Sequence, residues 1–166
     1  MNARVHALVD FYRRVQTERM QGIPILNRAL SVEAVGFLSG EPVEGEAPVS
    51  EGVLITPWFM SLVRLPDEVQ DHGGRVARKF IRSFGQEGFE FIGAHDPSVG
   101  YHETCALFSP MDGFPDQALA VETAEAVLAQ LRPAPEVASA PPAPTEAVPA
   151  RRSFLLGRRS PPGAVA

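Results

Sequence analysis

The sequence predicts an α+β fold: a two-layer sandwich whose antiparallel sheet of about four to five strands carries the N- and C-terminal helices on one face. Three observations predict it. Apolar residues recur with helical spacing near both ends of residues 1–131. The segments between them alternate in polarity or are uniformly apolar, as strands are. Loops rather than long helical crossovers connect these segments, which favours antiparallel pairing.

The N-terminal helix is predicted over residues 3–20. Asn2 precedes it as a candidate N-cap, and an apolar stripe repeats at spacings of three and four residues, formed by Val5, Leu8, Tyr12 and Val15. Gly22 and Pro24 end the helix. Residues 30–38 alternate well enough to predict the first strand.

The longest apolar run, residues 53–66, forms the centre of the predicted sheet. As a single strand it places Trp58, Met60 and Leu62 on one face. Both faces are apolar, which is typical of a strand buried on both sides, although Pro57 cannot donate to a ladder and indicates a bulge or a local edge. If helices cover only one face, the other needs a dimer, a covering loop or a client protein. We therefore predict that Trp58, Met60 and Leu62 form a partner-binding surface.

The second half of residues 1–131 predicts a hairpin and a helix. Residues 89–94 and 101–108 are the two strands of the hairpin, joined by a turn at 96–100. Residues 76–84 fit a helix and a strand equally well. The last helix is predicted over residues 115–131, with Pro115 in its first turn and Asp116 near its start.

Composition divides the chain into three parts. Residues 1–131 form the α+β domain, residues 132–150 a linker in which Pro and Ala make up 12 of 19 positions, and residues 151–166 a basic tail. The net charge of −5 is uneven: residues 1–131 hold 10 Arg and Lys against 18 Asp and Glu, a charge of −8, and residues 132–166 hold 5 against 2, a charge of +3. We expect the tail to be a tethered recognition element that binds a partner through Arg151, Arg152, Phe154 and Leu155.

Composition also excludes several classes of protein. One cysteine permits no internal disulfide and suits a reducing compartment. No apolar run reaches about 18 residues, and the first 20 residues lack the apolar core of a signal peptide. An acidic body argues against nucleic acid as the main partner. We therefore predict a cytoplasmic protein with no membrane insertion and no nucleic-acid partner.

The residues that could carry chemistry form no convincing catalytic site. Cys105 and His102 are three residues apart, which places them on opposite faces of a strand, and a buried inert thiol is the favoured interpretation. His95 could lie near His102 across the hairpin, but two His without a third ligand make a poor metal site. No nucleophile elbow or phosphate-binding loop is present. The sequence therefore predicts no enzyme and no cofactor. A metal- or cluster-handling protein that uses Cys105, His95 and His102 is the alternative.

Five stretches in order resemble the HybE/HupJ family of nickel–iron hydrogenase assembly chaperones. They are Arg19-Met20-x-Gly22-x-Pro24-x-x-Asn27, Val32-Glu33-Ala34-Val35-Gly36-Phe37, Leu54-Ile55-Thr56-Pro57-Trp58-Phe59-Met60, Gly100-Tyr101-x-x-x-Cys105-x-Leu107-Phe108-Ser109-Pro110-Met111 and Arg151-Arg152-x-Phe154-Leu155-x-Gly157. Some members of the family carry a rubredoxin domain, which needs paired Cys-x-x-Cys motifs. With Cys105 alone, this chain cannot build that domain.

The resemblance implies a non-catalytic cytoplasmic chaperone with a two-layer α/β sandwich. Its partners would be the small-subunit precursor of an uptake hydrogenase, the large-subunit precursor, or both, bound before export through the twin-arginine pathway. The tail segment of residues 151–155 itself looks like the core of a twin-arginine signal. A chance match in an Arg-rich chain is one explanation of the tail. The other is mimicry, in which the tail occupies the site that receives a client's signal peptide.

Overall fold

The computed structural model describes residues 2–40 and 43–132. The chain forms helix α1 (Ala3–Arg19), strands β1 (Glu33–Ser39), β2 (Val49–Ile55) and β3 (Met60–Pro66), a 3-10 turn (Gly73–Arg75), strands β4 (Lys79–Phe84), β5 (Glu87–Asp96) and β6 (Gly100–Phe108), and helix α2 (Gln117–Leu131). The strands make one antiparallel sheet in the order β1-β2-β3-β6-β5-β4. The predicted α+β class and antiparallel sheet are confirmed, with six strands in the described part rather than four to five.

The apolar run at the centre of the sheet is a hairpin rather than one strand. Thr56 makes the turn between β2 and β3: its N–H donates to Phe59 O at 2.8 Å, and its Oγ1 accepts from the N–H groups of Trp58 and Phe59. Pro57 lies within this turn, where the missing N–H is not needed by a ladder. Every residue of β2 and β3 is buried, which confirms burial on both faces.

The hairpin changes which residues share a face. Val53 pairs with Leu62 and Ile55 with Met60, so these four side chains point to the same side of the sheet. They pack against Ala120, Ala124, Leu128 and Leu131 of α2, and we call this side the α2 face. Leu54, Val63 and Leu65 point to the opposite side, the α1 face, where they pack against Val5, Leu8 and Val9.

The two helices therefore lie on opposite faces, and the prediction that both pack on one face is wrong. The molecule has three layers, α1, sheet and α2, because β2 and β3 are apolar on both sides and each side needs its own cover. The predicted N-cap of α1 is present, and Asp116, predicted only to lie near the start of the last helix, is the N-cap of α2, so that Pro115 precedes the helix instead of lying in its first turn. Asn2 Oδ1 accepts from the Val5 N–H at 2.8 Å, and Asp116 Oδ1 accepts from the Leu119 N–H at 2.8 Å.

The sheet curls around the C-terminal end of α2. Arg132, the C-cap of this helix, donates to Gly36 O of β1 at 2.7 Å and to Glu51 O of β2 at 2.6 Å. The same guanidinium lies 5.2 Å from the ring centre of Phe84, the last residue of β4. Since β1 and β4 are the two ends of the sheet, Arg132 contacts a residue at each end.

Helix α2, the last element of the described part, ends at Leu131. The rest of the predicted linker beyond Arg132, and the whole predicted tail at 151–166, lie outside the described residues. Neither helix in the described part is long and apolar enough to cross a membrane.

Candidate functional site

The structure separates the three residues predicted to form a docking surface on the central strand. Met60 and Leu62 have no exposed surface, because α2 and Met111 cover them on the α2 face. A side chain without exposed surface cannot contact a partner of the folded domain, so Met60 and Leu62 are core residues and their predicted docking role is corrected. Trp58 belongs to the turn instead, is partly exposed, and stays a candidate.

An aromatic end of the sheet surrounds Trp58. Trp58 packs edge-on against Phe59 with ring centres 5.6 Å apart, and Phe108, which is 40% exposed, packs edge-on against Phe114 at 5.3 Å. Asn27 ties the two pairs together. Its N–H donates to Pro57 O at 2.9 Å, and its side-chain amide donates to Met111 O and Phe114 O at 2.9 and 2.8 Å.

Two further exposed apolar side chains, Ile23 and Ile25, precede Asn27 on the same connecting segment. We call Ile23, Ile25, Trp58, Phe108 and Phe114 the aromatic end; they belong to three segments that the hydrogen bonds of Asn27 join. Apolar surface gathered in this way is typical of a site of protein interaction.

A buried ionic cluster occupies the part of the α2 face that the helix does not cover. Arg64 lies between two carboxylates, with Nε 2.9 Å from Glu51 and Nη1 3.0 Å from Glu103. Arg82 donates to both oxygens of Glu103, at 3.1 and 2.9 Å. The Tyr101 hydroxyl donates to Glu103 at 2.7 Å. The sheet register places Glu51, Arg64 and Glu103 side by side on three neighbouring strands.

The charges of this cluster compensate one another. Burial alone would raise the pKa of Glu103, but the hydrogen bonds from Arg82 and Tyr101 and the positive charges of Arg82 and Arg64 hold its pKa below the usual value. Burial, with the neighbouring Glu103 carboxylate, raises the pKa of Tyr101. Glu103 is therefore a carboxylate and Tyr101 a neutral phenol at neutral pH, which suits a structural network better than proton transfer.

The cluster opens to solvent through a narrow cleft between the loops that precede β2 and β4. At its mouth, Glu46 lies 3.4 Å from Arg82 and 3.5 Å from Arg75. Both guanidiniums also lie over the ring of Phe80, at 5.2 and 5.8 Å from its centre. Arg75 and Arg82 therefore share one aromatic ring and one carboxylate, that of Glu46, and of these residues Arg75 and Glu46 line the cleft.

On the α1 face, His102 and Tyr12 form a buried pair. His102 Nδ1 lies 3.1 Å from its own strand's Gly100 O, and Nε2 lies 3.2 Å from the Tyr12 hydroxyl. Because a carbonyl oxygen can only accept, Nδ1 carries the proton and Nε2 accepts from Tyr12. Burial lowers the pKa of His102 to about 4 and raises the pKa of Tyr12 to about 12. His102 is therefore a neutral residue that joins α1 to β6.

The residues of the alternative metal site do not come together. Cys105 pairs with Leu62 on the α2 face, whereas His102 points to the α1 face. His95 pairs with Tyr101, so it lies on the α2 face about 13 Å along the strand from Cys105. Within residues 2–40 and 43–132 no group of three or more His, Cys, Asp and Glu is placed to hold a metal ion.

Cys105 is half-buried, and burial raises the pKa of its thiol. A raised pKa keeps the sulfur protonated at neutral pH and lowers its reactivity. Its environment is that of a small apolar residue beside the α2 core. The other predicted partner-binding residues, Arg151, Arg152, Phe154 and Leu155, lie outside the described part of the chain.

Sequence reasoning missed the ionic cluster, although one signal for it was present. Arg64 is the only charged residue inside the apolar run 53–66. A charged side chain in a strand buried on both sides requires a buried partner. The sequence does not show which acids are the partners of Arg64, because Glu51 and Glu103 are 13 and 39 residues away.

Comparison with known proteins places this three-layer domain in a family. The profile of the family described as NiFe-hydrogenase assembly, chaperone, HybE matches residues 3–157. The chain belongs to the HybE family. It is a hydrogenase assembly chaperone, as the resemblance in its five sequence stretches implied.

Three relatives show how far this HybE-family chain extends along similar proteins. Protein HoxT of Cupriavidus necator is 42% identical over 164 residues, which cover 94% of this chain and 89% of that protein. The hydrogenase expression/formation protein HupJ of Bradyrhizobium diazoefficiens is 40% identical over 75% of this chain and 69% of its own length. The probable rubredoxin HupJ of Rhodobacter capsulatus is 38% identical over 79% of this chain, but only 45% of that protein is covered.

The solution structure of HybE from Escherichia coli shows the same fold. It aligns with a TM-score of 0.56 and 19% sequence identity over 95% of this chain and 91% of that one. At this identity the likeness concerns the fold alone. The ionic cluster and the aromatic end described above are features of this HybE-family chain.

Proposed function

We propose that this protein is a non-catalytic cytoplasmic chaperone that binds a subunit precursor of a nickel–iron uptake hydrogenase before export by the twin-arginine pathway. The observation that carries the proposal is the family match, which extends from residue 3 through α2 and on to residue 157. It includes the segment Arg151-Arg152-Ser153-Phe154-Leu155, so the first seven residues of the tail, 151–157, belong to the matched region together with the domain.

The aromatic end is the surface that best suits a precursor on the described domain. It exposes apolar side chains around Trp58 while Asn27 holds its three segments in place. An unfolded or partly assembled subunit exposes apolar surface that its own partners will later cover. Aromatic side chains bind such surface with little loss of conformational entropy. Among the predicted docking residues that lie in the described part of the chain, Trp58 is thus the one with a partly exposed side chain that a client could contact.

Co-purification tests this assignment. Tagged wild-type protein from cells that produce the hydrogenase is expected to carry a small- or large-subunit precursor that still has its unprocessed ends, identified by mass spectrometry. Trp58→Ala should reduce the amount recovered several-fold, while Leu119→Ala, which removes an exposed apolar side chain from α2, should not. Recovery of mature subunits only, or equal loss in both variants, would contradict the proposal.

The tail is proposed to compete with the client's signal peptide. From Arg151 onward it carries four Arg and no acid, opposite in sign to residues 1–131. A 19-residue segment with the dimensions of a coil would have an r.m.s. end-to-end distance of about 25 Å, which would let the tail reach the domain. Tethering gives an effective concentration on the order of millimolar, so a weak contact is substantially occupied. Arg151 and Arg152 would pair with acidic side chains, and Phe154 and Leu155 would enter an apolar pocket.

Deletion of residues 151–166 should therefore tighten the binding of a synthetic twin-arginine signal peptide, measured by titration at low salt. Arg151→Ala with Arg152→Ala should reproduce the effect, and Arg158→Ala with Arg159→Ala is the charge-matched control. If the affinity is unchanged or falls, the tail is not an internal competitor. A fall would place it in the client-binding surface itself.

A further inference from the structure

The outer edge of β4 is basic in an otherwise acidic molecule. Residues 75–84 contain four cations, Arg75, Arg78, Lys79 and Arg82, and no acid, although the chain as a whole has a net charge of −5. β4 is the last strand of the sheet and, in the part of the chain that the structure describes, pairs only with β5. An unpaired edge strand is a template for another extended segment.

The backbone groups that point away from β5 can be assigned. Arg78 O accepts from the Gly93 N–H of β5 at 3.0 Å, so Arg78 faces β5. In an antiparallel ladder every second residue faces the neighbour, and the residues between them face outward. Lys79, Ile81 and Ser83 therefore direct their N–H and C=O groups away from the sheet. All three residues are exposed.

The side chains along this edge combine apolar surface with positive charge. Ile81 is 75% exposed and Ile92 on β5 is 43% exposed. Arg78 and Lys79 form no ion pair with any described residue, whereas Arg82 is held by Glu103. On the other face of β4, Phe80 carries the guanidinium of Arg75 above its ring.

The ion pairs of Glu46 show that this edge attracts a carboxylate. Its carboxylate reaches Arg75 and Arg82 from the loop before β2, at 3.5 and 3.4 Å, distances longer than those of the hydrogen-bonded ion pairs in the buried cluster. Its side chain and that of Arg75 are 26% and 33% exposed, so another carboxylate can approach from solvent. The backbone of Arg75 is held in place next to Gly93. The carbonyl oxygen of Arg75 packs so closely against Gly93 that a Cβ at position 93 would collide with it.

We propose that the β4 edge binds an extended acidic segment of a partner protein, which joins the sheet as an additional strand. The segment's backbone pairs with Lys79, Ile81 and Ser83. Its carboxylates pair with Arg78 and Lys79, and one that lies beside Arg82 replaces Glu46, which Arg82 and Arg75 share. Its apolar side chains cover Ile81. This inference goes beyond the role in hydrogenase assembly, because it does not depend on which protein supplies the segment.

Charge selects this occupant over the two others that the edge could take. A second copy of the chain would place residues 75–84 of one molecule against the same residues of the other, and on each side Arg78 and Lys79 have no ion pair with a described residue. The chain's own tail has four Arg and no acid from residue 151 onward. Both are repelled by the edge, whereas an acidic strand is attracted.

The test uses the full-length protein and a labelled heptapeptide, Thr-Thr-Glu-Val-Val-Glu-Glu, acetylated and amidated at its ends. Antiparallel pairing with β4 places its Glu residues beside Arg82, Lys79 and Arg78 and its Val residues beside Ile81 and Phe80. Fluorescence anisotropy at low salt should show saturable binding. A peptide with Lys in place of Glu should not bind. A peptide N-methylated at alternate amides keeps the charge but cannot pair with a strand, and it should not bind either.

Variants then locate the site. Ile81→Pro removes the outward N–H and should weaken binding about tenfold or more while the circular dichroism spectrum is kept, since an edge strand tolerates Pro at an outward-facing position. Ile81→Ala should weaken binding, and Leu38→Ala, at the exposed edge strand β1, should not. Arg75→Ala should weaken binding by about fivefold or less, and Glu46→Gln should tighten it by about threefold.

The proposal is overturned if the wild-type protein does not bind the acidic peptide at millimolar concentration. Equal binding of the N-methylated peptide would show that charge alone attracts it and that no strand is added. Unchanged affinity in both Ile81→Ala and Arg75→Ala would place the peptide elsewhere. If Ile81→Pro does not fold, the N-methylated peptide and the Ile81→Ala and Leu38→Ala pair still decide the outcome.

Discussion

Arg64 Nη1 lies 3.0 Å from Glu103 Oε1 in the interior of the domain, where each side chain is only 4% exposed. The pair joins the two central strands, β3 and β6, and Arg82 and Tyr101 complete the hydrogen bonding of the carboxylate. A buried ion pair adds little net stability when it is intact, because desolvation offsets the attraction. Removing one partner is costly, because the other charge stays buried.

Glu103→Ala should therefore lower the free energy of unfolding by about 3–5 kcal/mol in urea denaturation. Glu46→Ala, which removes a partly exposed carboxylate from the same cluster, should cost less than about 1 kcal/mol. The pKa of Glu103 is lowered in the folded state, so its contribution is present above the usual value of 4.5 and is lost as the pH falls below it. Equal costs for the two variants would contradict the central role of Glu103.

His102 predicts a second pH dependence in a higher window. Its folded-state pKa of about 4 lies below the ordinary value of 6.5, so the unfolded chain binds the proton more readily and stability falls as the pH drops from 6.5 toward 4. The expected loss between pH 7 and pH 5 is about 2 kcal/mol. Denaturation at both pH values measures it. His102→Gln should abolish the difference, and His6→Gln, at an exposed position of α1, should leave it.

The pH dependences predicted for Glu103 and His102 can be distinguished, because the stability that Glu103 contributes is lost only below pH 4.5, whereas the loss due to His102 begins below pH 6.5. A loss already complete at pH 5 that persists in His102→Gln would assign the titration to another group. A chemical shift titration of the His102 imidazole with an apparent pKa above 6 would contradict the buried neutral state. Tyr12→Phe, which removes the hydroxyl that donates to Nε2, should raise that pKa only slightly, because burial is the larger cause of the shift.

Local signals made much of the fold predictable from sequence. The caps at Asn2 and Asp116, the stripe of α1 and the turn of the β5–β6 hairpin all depend on residues within a few positions of one another. The β2–β3 hairpin was missed because its turn, Thr56 to Phe59, is itself apolar except for one hydroxyl. A turn whose hydrogen bonds are made by Thr56 leaves no Gly or Asn to mark it.

The error in the turn propagated to the predicted site. A continuous strand places Trp58, Met60 and Leu62 on one face by the two-residue period, whereas the turn resets that period and sends Met60 and Leu62 beneath α2. The ionic cluster could not be predicted in detail, since its partners come from β2, β3, β4 and β6. Pairing over such separations is decided by strand order, which local sequence does not contain.

Cys105 offers a direct test of the structural interpretation of the single thiol. Cys105→Ala should keep the fold and hydrogenase maturation and lower the free energy of unfolding by about 1 kcal/mol, because only a sulfur atom at a half-buried position is lost. Labelling of the wild-type thiol at neutral pH should be slow, since burial raises its pKa. A folded Cys105→Ala protein that fails to support maturation would return a redox or metal role to this residue.

Met60 and Trp58 test the division of the central hairpin into core and surface. Met60→Asp places a carboxylate in the apolar core beneath α2 without a partner, so the domain should unfold or lose several kcal/mol of stability. Trp58→Asp places the same group in the partly exposed turn, where water can solvate it, and the fold should survive. Circular dichroism and thermal melting measure both variants, and a pull-down with the hydrogenase precursor follows.

A folded Trp58→Asp protein that no longer captures the precursor supports docking at the aromatic end. A folded Met60→Asp protein that loses capture would instead show that α2 moves away to expose the α2 face to a client, and would restore the docking role of Met60.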